Sequence, residues 1–112
     1  LFTSGAGIIV TTLSAPEVPV PSLRAGTTEV DLRAIVQQLP TGIVHVEGGP
    51  SLNAALLRED LVDAINFTFS PHIGGRRGPS FTTPTNVLHR FRLTEFETPD
   101  SFVFARYERI RD

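Results

Sequence analysis

The segment Val44-His45-Val46-Glu47-Gly48-Gly49-Pro50-Ser51-Leu52-Asn53 decides the reading of this chain. An apolar run ends in a carboxylate, two glycines turn the backbone, and Pro50-Ser51 opens a helix. The order is strand, tight turn, helix start. A helix N-terminus carries unpaired N–H groups and the positive end of the macrodipole, which suits a phosphate. Glycine lacks a Cβ and lets a ligand come close to the backbone. The same Gly-Gly-Pro spacing also joins strands to helices with nothing bound, so the neighbouring elements must decide between the two uses.

Working outward, Ile43–Glu47 reads as a buried strand and Ser51–Asp60 as a helix with Leu52, Ala55, Leu56, Leu57 and Leu61 on its apolar side. Upstream, Gly7–Thr12 is a short β-rich strand, and Pro16, Pro19 and Pro21 exclude a helix between Leu13 and Thr28. That connection leaves room for an edge strand near Val18–Leu23. Asp31 is the predicted N-cap of a helix bearing Leu32, Ile35, Val36 and Leu39, and Pro40 and Gly42 stop it. Downstream, Asp63–Ser70 alternates as a strand with Ile65, Phe67 and Phe69 on one face. Pro71–Pro84 is a loop, and Val87–Glu97 and Ser101–Ile110 form an antiparallel hairpin about Thr98-Pro99-Asp100. Alternating strands and helices predict an α/β fold with a mostly parallel sheet, whose ligands sit at strand carboxyl ends. Thr11-Thr12 and Glu47-Gly48-Gly49 both fall at such ends.

Composition narrows the classes. The 112 residues suit one domain or a large piece of one, with no repeat to divide it. A net charge of −2 and a pI near 5.9 carry no nucleic-acid footprint. Without cysteine there are no disulfides or thiolate metal sites, so a cytoplasmic protein is the expectation. No apolar run approaches the ~18 residues of a membrane span, and no signal peptide is visible. Histidines at 45, 72 and 89 are too scattered to predict a metal site. His45 is expected as a hydrogen-bonded core or interface residue, His72 as a solvated loop residue, and His89 as solvent-facing on the hairpin. Arg76-Arg77 could clamp a phosphate, but a solvated loop pair is the simpler reading. Asp60 and Asp63 read as caps and turn formers. Phe67, Phe69, Phe91, Phe102 and Phe104 read as core or sheet-packing aromatics.

Three blocks carry a specific resemblance: Glu47-Gly48-Gly49-Pro50-Ser51-Leu52-Asn53-Ala54-Ala55-Leu56-Leu57, Asp60-Leu61-Val62-Asp63, and Ser70-Pro71-His72-Ile73-Gly74-Gly75. Together with Val30-Asp31-Leu32 and the tail Phe104–Tyr107, the chain resembles the pyrimidine reductases of riboflavin biosynthesis, often the C-terminal domain of a bifunctional deaminase–reductase. The resemblance implies a dihydrofolate-reductase-like αβα three-layer sandwich on a mixed sheet, and NADPH as cofactor. It implies that Gly49, Pro50, Ser51, Leu52, Asn53, Ala54 and Ala55 line the NADP site. Thr12 would contact the adenosine side, at the 2′-phosphate. Glu47 would accept hydrogen bonds from the pyrimidine, as an ionised carboxylate can. It further implies a phosphorylated pyrimidine substrate, 5-amino-6-(5-phosphoribosylamino)uracil, whose ribosyl group becomes ribityl, and a homodimer. No catalytic side chain is assigned.

The chain departs from the family pattern at Asp63-Ala64, where Asp-Glu is common, and in lacking the family's first two strands and helix. Residues 1–112 are therefore expected to be the C-terminal portion of a single reductase domain, inactive alone. That expectation agrees with the absence of an initiating Met. In the family's strand order Ile43–Glu47 lies between the two missing strands, so its backbone would find no partners here. The alternative is a reductase-like nucleotide-binding module without this catalysis, or with a different specificity.

Overall fold

A computed structural model describes residues 9–17, 21–40 and 42–112. The chain divides into two compact units, Leu1–Glu47 and Gly48–Asp112.

In the first unit, β1 (Ile9–Thr11) pairs in parallel with β2 (Ser22–Arg24) in the register Ile9↔Ser22, Val10↔Leu23, Thr11↔Arg24. The predicted edge strand thus begins later than Val18, and its residues 18–20 lie outside the described ones, as do residues 7 and 8 of the first strand. The pairing continues past the strands through Ala25 N–H to Thr11 O at 3.1 Å and Leu13 N–H to Gly26 O at 2.8 Å. Gly26 has φ +84°, and a Cβ there would fall 1.9 Å from the Glu29 carbonyl oxygen, so only glycine fits this turn. Helix α1 (Leu32–Gln38) lies against β2 and buries Ile35. Its cap is as expected: the Asp31 carboxylate accepts from Ala34 N–H at 3.1 Å, satisfying one of the orphan donors of the first turn.

The expected strand Ile43–Glu47 is corrected by the structure. The segment joins no ladder among the described residues, and Ile43, Val44 and Val46 are exposed, Ile43 at 71%. His45, expected in a core or an interface, is exposed with them. Sequence pattern marks a segment that suits a strand, but a strand exists only through hydrogen bonds to another.

The second unit opens with α2 (Pro50–Arg58), one residue ahead of the predicted start. Proline is tolerated at N1 because the N–H it lacks has no intrahelical acceptor there. Burial wraps from Asn53 to Leu57, with Ala54 fully enclosed and Leu56 buried, while Leu52 is exposed. The enclosed side is therefore shifted from the predicted stripe. After the turn at Asp60, β3 (Ala64–Phe69), β4 (Phe91–Glu97) and β5 (Val103–Arg109) form an antiparallel sheet in the order β3-β5-β4. The predicted hairpin is present, with the 3₁₀ turn Pro99–Ser101 between its strands and a bulge between Leu93 and Glu95.

Register sorts the sheet into two faces, because directly opposed residues share a side. Phe67, Ala105 and Phe96 align on one face with Ile65, Tyr107 and Leu93. Asn66, Arg106 and Glu95 align on the other with Glu108 and Arg92. Phe67 is the aromatic hub of the first face, edge-on to Phe81 at 5.0 Å and within 6.3 Å of Tyr107 and Phe69. Phe69 and Phe104, expected in the packing, are instead exposed. No helix among the described residues is long and apolar enough to cross a membrane.

Candidate functional site

The second unit begins with the glycine turn, and each glycine has its own geometry. Gly48 sits at φ +92°, a left-handed conformation that side chains rarely adopt. A Cβ on it would also meet the Asn53 amide at 3.4 Å. Gly49 is the N-cap of α2 at φ −78°, and a Cβ there would meet nothing within 4 Å. Gly49 thus faces open space. No side chain caps the helix. Ser51 and Leu52, both exposed, belong to the first turn, whose N–H groups have no acceptor within the helix. Open space beside uncapped N–H groups at the positive end of a helix is an arrangement that accepts an anion through the backbone.

A second segment braces this turn. The Asn53 amide donates to Phe81 O at 2.8 Å, and Thr83 N–H donates to Pro50 O at 3.3 Å. The Phe81 ring packs in turn on Phe67 of β3. The start of α2 is thereby tied through residues 81–83 to the sheet. Sequence reasoning treated Pro71–Pro84 only as a loop, and no local signal links Phe81 to Asn53 across 28 positions.

The expected site residues therefore separate. Gly49, Ser51 and Leu52 border the open helix start; Pro50 and Asn53 hold residues 81–83. Ala55 is half-buried, and Ala54 is completely enclosed, so its side chain packs the core. Thr12 and Glu47 belong to the other unit. Glu47 is exposed beyond any strand. Thr12 is half-buried just after β1, and its carbonyl accepts from the Arg24 guanidinium at 3.2 Å. Arg24 was missed by sequence reasoning. It also donates to Ala15 O at 2.6 Å and Pro16 O at 2.9 Å, so one cation holds the turn that follows β1. Two shallow hollows, of about 330 and 460 Å³, have no residue of α2 in their lining. One lies by Arg92 and Glu108 and the other by Leu13 and Arg24. An anion held by backbone N–H groups needs no enclosed cavity, so the helix start is the stronger candidate.

His72, expected to be a solvated loop residue, is exposed and shares a 2.5 Å hydrogen bond between its Nδ1 and Ser70 Oγ. Arg76 and Arg77 are exposed. No group of His, Asp or Glu that could hold a metal occurs among the described residues. His89, expected to face solvent, is instead half-buried and bonded on both ring nitrogens. Asp60 and Asp63 do more than shape a turn. Asp60 pairs with Arg109 at 2.9 Å and Arg111 at 3.3 Å, and Asp63 with Arg111 at 2.8 Å. The hydrogen bond from Arg109, seconded by Arg111, holds the Asp60 carboxyl below the usual carboxylate range against a smaller opposing effect of desolvation.

Comparison with known proteins agrees with this architecture. A search of curated proteins finds no match. Among solved structures, a pyrimidine reductase-like protein from Corynebacterium diphtheriae matches with a TM-score of 0.74 at 22% identity, over 94% of this chain and 50% of that one. A candidate riboflavin biosynthesis protein from Shewanella sp. PV-4 matches at 0.67 and 21% identity, over 95% and 62%. RibD of Acinetobacter baumannii matches at 0.67 and 18% identity, over 92% and 31%. At these identities the likeness shows the fold: a mixed α/β, dihydrofolate-reductase-like arrangement ending in antiparallel strands. The chain spans less than two thirds of each solved structure. The family model described as the RibD C-terminal domain matches residues 1–103, and the chain belongs to that family.

Proposed function

We propose that this chain is the C-terminal portion of a reductase domain that uses NADPH to reduce the ribosyl group of 5-amino-6-(5-phosphoribosylamino)uracil to the ribityl form in riboflavin biosynthesis. The observation that carries the reading is the start of α2, where Gly49 faces open space and no side chain caps the helix. Such a start suits the pyrophosphate of a dinucleotide. Membership of the RibD C-terminal domain family supports it. When bound, the nicotinamide supplies the hydride, and the protein supplies position and charge.

In this reading Gly49, Ser51 and Leu52 hold the pyrophosphate through backbone N–H groups. Asn53 and Pro50 keep residues 81–83 in place beside them. Thr12 serves the adenosine side and Glu47 accepts hydrogen bonds from the pyrimidine. The exposed apolar run Ile43, Val44 and Val46 is a surface for the rest of the reductase domain to cover. The working protein is a cytoplasmic homodimer.

Gly49→Ala tests the cofactor site. Its Cβ would meet no protein atom, and circular dichroism checks that the variant folds. Affinity of the full-length protein for NADPH, measured by calorimetry, should fall about tenfold or more, since the methyl group occupies the ligand's space. Unchanged affinity would remove the helix start from the cofactor site. Glu47→Gln tests the division of roles: turnover should fall roughly tenfold, the scale of one charge-assisted hydrogen bond, with NADPH affinity nearly intact. NADPH binding without any turnover of the phosphoribosylamino pyrimidine in the unaltered protein would instead mark a nucleotide-binding module.

A further inference from the structure

Arg24 has more hydrogen-bonding capacity than the turn it holds takes up. It is the last residue of β2 and stands opposite Thr11, the last of β1. The two strands run parallel and so end at the same edge, where ligands collect in sheets of this kind. A guanidinium carries five N–H donors and no acceptor. In Arg24, Nη1 donates to Thr12 O at 3.2 Å and Ala15 O at 2.6 Å, and Nη2 donates to Pro16 O at 2.9 Å. Those bonds use both hydrogens of Nη1 and one of Nη2. The Nε–H and the second hydrogen of Nη2 have no acceptor among the described residues.

The charge is unmatched as well. Arg24 is half-buried, and no carboxylate among the described residues pairs with it. The three groups that hold it are neutral carbonyls, so its full positive charge stays available to an anion. Beside it lies the hollow of about 460 Å³, whose lining includes Ser22 and Glu17. The Ser22 hydroxyl can donate to an oxyanion there, whereas the exposed Glu17 carboxylate opposes one.

We propose that Arg24 selects NADPH over NADH by holding the 2′-phosphate on the two N–H groups that its turn leaves unused. The proposal rests on the reading of this chain as part of an NADPH-dependent reductase. Donors on neighbouring guanidinium nitrogens match two oxygens of one phosphate, a fit that lysine lacks. The three carbonyls already fix the guanidinium, so little side-chain freedom is left to lose on binding. Thr12, which that reading places at the adenosine side, is joined to Arg24 through its own carbonyl. Both residues and the hollow belong to the first unit.

Calorimetry on the full-length protein with NADPH and with NADH tests the proposal, because the two differ only in the 2′-phosphate. The unaltered protein should bind NADPH more tightly, by about tenfold or more. Arg24→Gln removes the charge and the fork. It should weaken NADPH about tenfold to a hundredfold, the range of charge-assisted hydrogen bonds, and NADH by less than about threefold. Arg24→Lys keeps the charge without the fork and should fall between. A residue that only held the turn would weaken both dinucleotides alike. Glu17→Gln leaves the bonds of the turn intact, and should tighten NADPH by about twofold with NADH unchanged. An unchanged NADPH-to-NADH ratio in Arg24→Gln, or in Glu17→Gln if the first variant does not fold, would overturn the assignment and leave the reductase reading standing. If the unaltered protein bound neither dinucleotide, that reading would fall and the role of Arg24 with it.

Discussion

At its amino end α2 presents backbone alone: an N-cap glycine, no side-chain cap, and space where a Cβ would meet nothing. At its carboxyl end His89, Asp60, Arg109 and Arg111 converge, and nearly every polar atom there is spent on another protein group. Both ends begin with the same deficit, since a helix leaves its first N–H and last C=O groups without internal partners. The chain resolves it with side chains at one end and leaves the other open. A helix anchored through its carboxyl end can keep its amino end uncapped without losing its seat.

Removing the anchor should have the largest effect. Arg109→Ala deletes contacts to Asp60, His89 and Arg90 from a side chain that is mostly buried, and should cost about 3 kcal/mol in urea unfolding. A loss near zero would mean that the carboxyl end does not hold the helix. At the amino end, Asn53→Ala cuts one hydrogen bond, to Phe81 O, and should cost about 1 kcal/mol. The same change should raise exchange at Thr83 N–H, which bonds to Pro50 O. If Asn53→Ala proved as costly as Arg109→Ala, the two ends would be equally committed to structure and the contrast would fail.

The smallest effect sharpens the contrast through pH. Because Arg109 lowers the Asp60 carboxyl below its ordinary 3.8, Asp60 favours the folded state fully above that value. The contribution is lost as pH falls through the lower folded value. Unfolding followed in strong acid should show this loss, and Asp60→Asn should flatten it.

What could be read along the chain was local chemistry. Asp31 as a cap, Pro50 as the opening of a helix, and Pro99-Asp100 as a hairpin turn each depend on groups within a few residues. The glycine turn also marked where the helix starts, and the two glycines have distinct geometries in the structure. The residues that were misread share a different property. Ile43–Glu47 has the composition of a strand, but its conformation depends on partners. Leu52 has an apolar side chain on the predicted stripe and is exposed. His89 lies on a polar-looking hairpin and is bonded to a carbonyl 32 positions earlier and a guanidinium 20 positions later.

By itself, the sequence determined the family, the order of the helices and the final strands, and the glycine turn that opens α2. These follow from backbone propensity, capping and the conformational freedom of glycine, which act over one turn of chain. Tertiary structure alone decided that Arg24 holds the turn after β1, that Asn53 reaches Phe81, and that His89, Asp60, Arg109 and Arg111 meet at the end of α2. Each of those contacts joins side chains to groups far along the chain. Which donor finds which acceptor is settled only when the elements pack, because no local pattern records a partner that distant.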